Sequence, residues 1–411
     1  MNKFQHLEAI RGLTSILVVI AHFACAFFPF TLFAYVTPGE YAPHSAVEQL
    51  FYKTPLAIFV SGNYALSLFL IISGYVLSHK LIGQKNVRIR VLGSALKRPV
   101  RLLGLIWFSM IVAYIFWRLG WFYNHEAAPL TSSIPWLDAY WGRVPNIGRF
   151  LRDLFTSPFS SGETYNALLW MMEIEVHLSM LTFAYVFFFG DRRYRLLALI
   201  LIIFLLWGNL QSGFIVGMPL GILCAEIELY LRNKDIRLPE PLLFTMLAIG
   251  FFLGTYPPFI PASVTKNTIY GFLPLMNSTS GYPMIGGVLT FFVIIMSRRL
   301  HKILDKKWLS KLGHIGYSVF AIHLILMGSF SSALYLFLYN RLGHNGAALV
   351  SLGATFPLVI GLAIIITRLV DENFSKLANA LSAYSQKVMN GWLERWRQRT
   401  KPIEANADTN K

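Results

Sequence analysis

The chemistry on offer begins in Leu7–Phe28, LEAIRGLTSILVVIAHFACAFF, an apolar run that carries Arg11 near its start and His22 inside it. Crossing about 30 Å of hydrocarbon takes roughly 20 apolar residues. An ionisable group at such depth is costly enough to mark function. Arg11 and His22 return to nearly the same helix face, about 16 Å apart along the axis at 1.5 Å per residue. An imidazole held there suits general-base chemistry, because its proton affinity lies close to working pH.

Two more apolar stretches carry such groups. LLWMMEIEVHLSML, residues 168–181, holds Glu173, Glu175 and His177. Glu173 and His177 share a face, and Glu175 looks another way. GHIGYSVFAIHLILM, residues 313–327, holds His323. At 1.5 Å per residue, His22 lies about 15 Å and His323 about 12 Å from one membrane edge, and Glu175 about 10 Å from the other. These depths predict that His22, Glu175 and His323 meet near mid-membrane. The plainer alternative for a lone intramembrane His is a hydrogen bond between helices. Arg98 and Arg101, in ALKRPVRL, would share a helix face and suit bidentate phosphate binding; the plainer reading is an ordinary basic inner loop. Glu226 and Glu228, near Arg232, read as a structural ion pair.

These groups need a membrane scaffold. The 411 residues are 55% hydrophobic and 14% charged, with a mean hydropathy of +0.53. Soluble domains carry about 25% charged residues. The net charge of +16 therefore argues through its position and not for a nucleic-acid partner. Cys25 and Cys224 both fall in apolar windows, which argues against a disulfide framework or a metal site. The N-terminal run is too long for a cleaved signal and reads as a retained first span.

Apolar windows predict an all-α protein of ten transmembrane helices, near 12–33, 56–79, 100–118, 167–189, 195–209, 213–231, 241–257, 282–297, 315–339 and 346–369. Of 36 Lys and Arg, only Lys53, Arg118, Arg143, Arg149, Arg152, Lys266 and Arg341 fall on the outer side of this arrangement. The positive-inside rule then puts both termini in the cytoplasm. Residues 1–370 form the membrane domain. The basic tail, 371–411, begins as an amphipathic helix expected on the inner membrane surface and ends in a polar stub. Outer segments 34–55, 119–166 and 257–281 are rich in Pro, Gly and aromatics; they suit an outer vestibule or an aromatic interface belt.

These features together resemble acyltransferase family 3, integral-membrane enzymes that move acyl groups onto hydroxyls. The resemblance rests on Leu7-Glu8-Ala9-Ile10-Arg11-Gly12-Leu13 with His22, on Leu68-Phe69-Leu70-Ile71-Ile72-Ser73-Gly74-Tyr75, and on Arg98-x-x-Arg101. It continues in Trp170 with Glu175 five residues on, and in Gly316-Tyr317-Ser318 through His323. Glu8 stands where the family usually has Asp, and no appended hydrolase-like domain follows.

The resemblance implies an acyl-CoA donor, commonly acetyl-CoA, arriving from the cytoplasm, with no tightly bound cofactor and no metal. Arg11, Arg98 and Arg101 would hold its phosphates. His22 would be the base, Glu175 would orient it as a triad carboxylate does, and His323 would assist. Tyr317, Ser73, Tyr75 and Trp170 would position the acceptor or the oxyanion. The implied acceptor is a cell-surface or lipid-linked carbohydrate, such as lipopolysaccharide, the membrane lipids are the surroundings, and the setting is a bacterial inner membrane. The rivals are a proton-coupled transporter or flippase of a lipid-linked glycan, which buried His and Glu would also suit, and a membrane scaffold.

Overall fold

The computed structural model describes residues 5–34, 41–84, 87–209, 213–257, 268–274 and 280–399. Among them every regular element is a helix. The principal ones are α1 (Gln5–Phe27), α2 (Gly62–Ser78), α3 (Arg88–Arg118), α4 (Leu169–Phe189) and α5 (Arg195–Asn209). They are followed by α6 (Gly217–Asn233), α7 (Glu240–Gly254), α8 (Gly281–Met296), α9 (Lys307–Leu326), α10 (Ser332–Ile366) and α11 (Glu372–Arg399).

Each expected window but one falls largely on one of α1–α10; the window 315–339 is divided between the end of α9 and the start of α10. Five helices are long and apolar enough to cross a membrane, or six if α8 and Arg298–Leu304, bent by 89°, form one span. The difference from ten has two causes. Lys307–Trp392 runs as one 86-residue helical stretch, broken within α10 only where Gly343 takes φ +65°. Gly62–Ser78, Arg195–Trp207 and Glu240–Gly254 are apolar but short.

The pairing of α1 with α9 sets the site. The two helices touch where side chains are smallest: a Cβ on Gly12 would lie 2.6 Å from the Gly313 nitrogen, and one on Gly313 would lie 1.8 Å from the Glu8 carbonyl oxygen. Only glycine permits that approach. Gly12 faces Gly313, and Ser15 faces Gly316, so each contact joins residues 301 positions apart (313 − 12 and 316 − 15). A parallel pair in that register carries the same offset onward to His22 and His323, also 301 apart.

Helix α3 begins well before the expected residue 100 and runs through Pro99. Proline removes one intrahelical hydrogen bond, but packing against α11 supports the stretch on either side. The Gly104 face meets Phe374, and the Gly93 face meets Ser382 and Gln386. Tertiary contact therefore overrides the break that the sequence suggested. It also shows what the helical start of the tail packs against. One face of α11 docks on α3 with Ala378 fully buried, and Leu377, Leu381, Tyr384 and Val388 point outward. The polar stub lies outside the described residues.

Candidate active site

His22 and His323 meet as the α1–α9 register requires, with His22 Nδ1 3.0 Å from His323 Nε2. The other His323 nitrogen, Nδ1, lies 2.9 Å from the Val319 carbonyl oxygen. A carbonyl can only accept, so in the neutral pair His323 Nδ1 carries the hydrogen and Nε2 is the bare acceptor. His22 Nδ1–H then donates to it. The remaining nitrogen, His22 Nε2, is left with a lone pair and has no hydrogen-bond partner among the described residues. The chain Val319–His323–His22 thus points one basic nitrogen outward.

His22 lines a cavity of about 280 Å³ together with Cys25, Phe33, Trp136, Trp170 and Phe320. Trp136 stacks on the His22 ring at 5.7 Å between centroids. It belongs to the long outer segment, which folds back through short helices at Asn124–Leu130, Ile134–Leu137 and Ile147–Thr156. Trp141 of the same segment is buried and donates to the Tyr165 carbonyl at 2.8 Å, whereas Trp121 is exposed. Of these three outer-segment tryptophans, Trp136 is the one that lines the His22 cavity.

Glu175 is fully buried, as expected, but it does not orient His22. Its Oε1 accepts from Arg98 Nη2, from Tyr317 Oη at 2.7 Å and from Ser73 Oγ at 3.1 Å. Arg98 reaches Tyr317 Oη at 3.1 Å and Ser179 Oγ at 3.3 Å. The reason is charge: a buried guanidinium on the facing α3 is a far stronger partner for a carboxylate than a neutral imidazole. Arg98, expected to meet a phosphate, is held by Glu175 in this arrangement.

The other two arginines differ. Arg11 contacts Glu8 at 3.0 Å, and Arg101 lies 3.8 Å from Asp371 and 5.6 Å from the Tyr317 ring centroid. In both, Nε is buried without a hydrogen-bond partner. Tyr75 stands apart from the His22 cavity; its hydroxyl donates to Glu228, which also meets His79 at 3.3 Å and Arg232 at 2.5 Å. Glu226 pairs with Arg195 at 2.7 Å instead of sharing Arg232. His177 is exposed.

Residues 4–368 match the family described as "Acyltransferase domain", acyltransferase family 3. The chain belongs to this family. Among curated proteins, this acyltransferase is 22% identical to "Acyltransferase clz18" of Cochliobolus lunatus, over 90% of this chain and 92% of that one. It is also 22% identical to "Acyltransferase R4" of Phoma sp. (strain ATCC 20986 / MF5453), over 86% and 88% of the two chains. No solved structure matches. The chain is thus an acyltransferase with several apolar helices of membrane-spanning character.

Sequence reading overlooked Val319, Ser179 and Asp371. One signal was available: Gly12 and Gly313 each precede a histidine by the same ten positions, the mark of two helices that touch in parallel.

Proposed function

We propose that this acyltransferase moves an acyl group, with acetyl as the first choice, from cytoplasmic acyl-CoA to a hydroxyl of a cell-surface or lipid-linked carbohydrate. The observation that carries the reading is the bare His22 Nε2 facing an aromatic-walled cavity. The acceptor hydroxyl gives its proton to His22 Nε2 as its oxygen attacks the thioester carbonyl. Collapse of the tetrahedral adduct breaks the carbon–sulfur bond, and the CoA thiolate takes the proton back from His22. The positive charge that forms on His22 is shared through Nδ1 with His323 and ends at the Val319 carbonyl. A second imidazole thus serves where a triad uses a carboxylate. Trp136 and Trp170 offer flat faces against which an acceptor ring can stack.

Arg11 and Arg101, whose Nε groups make no hydrogen bond, are the candidate ligands for the donor's phosphates. Arg98, Glu175, Tyr317 and Ser73 hold α2, α3, α4 and α9 together between the two sites. The charge asymmetry of the loops argues for ten spans with both termini in the cytoplasm; the bacterial inner membrane is the setting that the family resemblance implies.

The experiment is equilibrium binding of radiolabelled acetyl-CoA to purified protein in nanodiscs, wild type beside the Arg11→Ala/Arg101→Ala double variant. The reading expects saturable binding that weakens in the variant. Folded wild-type protein that binds nothing at millimolar donor would overturn it. Proton-dependent glycan flux without acyl-CoA consumption would then identify a transporter.

A further inference from the structure

A second cavity, of about 1000 Å³, lies at the Arg11 end of the molecule and shares no lining residue with the His22 cavity. Its wall includes Glu8 of α1, Lys80 just after α2, Arg90 and Ser94 of α3, Ser310 of α9 and Gln386 of α11. Glu8 is the partner of Arg11, so this cavity borders one of the two arginines assigned above to the donor's phosphates.

Gln386 is the unexpected member. It lies beyond residue 368, where the family match ends, on a helix that the sequence placed at the membrane surface. The structure anchors that helix firmly. Asp371 lies 3.8 Å from Arg101, Phe374 packs edge-on against Trp107 at 6.2 Å between centroids, and Ala378 is fully buried. Two turns on, Gln386 crosses α3 so closely that a Cβ on Gly93 would lie 2.3 Å from its Nε2. Its Nε2 donates to Ser382 Oγ at 3.4 Å, which leaves the carboxamide oxygen and one N–H uncommitted. An acceptor and a donor side by side complement the edge of adenine, as they do when Gln or Asn reads that base. Lys80 and Arg90 supply the positive charge that phosphates need.

We propose that this cavity takes the nucleotide end of the acyl-CoA donor, and that Gln386 is a donor-binding residue contributed by the C-terminal helix. The proposal rests on the acyl-CoA reading above and goes beyond it, by making the tail a wall of the donor site.

The test compares acetyl-CoA with acetyl-pantetheine, which carries the same thioester and lacks the nucleotide, on the full chain in nanodiscs. Gln386→Leu should weaken acetyl-CoA binding and raise its KM about tenfold, the equivalent of one or two net hydrogen bonds, and leave turnover of acetyl-pantetheine unchanged. Gly93→Ala should displace the carboxamide and act in the same direction. The Gly93→Ala/Gln386→Leu double variant should be no worse than either single one, because both remove the same contact. Unchanged acetyl-CoA affinity in Gln386→Leu, or equal losses with both donors, would overturn the proposal and leave the donor reading standing. A wild type that turns over neither donor would overturn both.

Discussion

Two buried polar clusters lie close to each other in this acyltransferase, and they end differently. In the Arg98–Glu175 cluster a guanidinium and a carboxylate meet, and Tyr317, Ser73 and Ser179 complete the set. In the His22–His323 pair the hydrogen bonds run one way, from His22 to His323 to the Val319 carbonyl, and leave a nitrogen over at the cavity. The first cluster has no net charge to lend and holds helices. The second has an open end and can take a proton. Depth in the membrane made His22 and Glu175 look like partners; charge balance separates them.

This contrast can be broken most sharply at Arg98. Arg98→Ala leaves Glu175 buried and uncompensated, which should cost about 3–5 kcal/mol of stability, read as a fall in detergent melting temperature and in folded yield. The Arg98→Met/Glu175→Leu variant should recover most of that stability, since an apolar replacement of a buried pair is often neutral. A double variant as unstable as Arg98→Ala would refute the scaffold role.

The histidine pair should respond in the opposite currency. His323→Ala frees the His22 tautomer and should lower turnover by about 10–100-fold, the usual cost of losing such an orienting partner, with melting temperature nearly unchanged. Full activity in that variant would show that the tautomer chain does not matter. Tyr317→Phe removes one hydroxyl from the ion-pair cluster and should cost about 1–2 kcal/mol of stability, measured by denaturation. Unchanged stability would remove Tyr317 from that cluster's energetics.

The smallest effect concerns the outer wall. His125 is partly buried, which lowers its proton affinity, but the Asp138 carboxylate at 2.6 Å and the Trp141 carbonyl raise it, and the balance is a pKa above the ordinary 6.5. A raised folded pKa gives stability that is fully present below 6.5 and lost as pH rises through the folded value. The melting difference between wild type and His125→Gln should therefore shrink from acid to alkaline pH. A difference constant with pH would contradict it.

Much of this was legible in the sequence. The all-helical membrane character followed from hydropathy, and Arg11, His22, Glu175 and His323 stood out because charge inside an apolar helix is expensive. Their grouping was not legible, since depth along each helix says nothing about which helices are neighbours. The paired Gly12–His22 and Gly313–His323 spacings would have supplied that neighbour. The course of α3 through Pro99 was hidden because α11, some 270 residues later (372 − 99 = 273), supports it. Trp136 belongs to the outer segment 119–166, whose aromatic content was legible, but nothing in its spacing announced a fold back onto His22.

The most direct test is single-turnover acyl transfer by His22→Ala, run beside acetyl-CoA binding on the same preparation. The account predicts wild-type donor affinity with transfer reduced by about 10²–10⁴-fold, the usual worth of a general base. Transfer at close to the wild-type rate, with the donor bound, would contradict it.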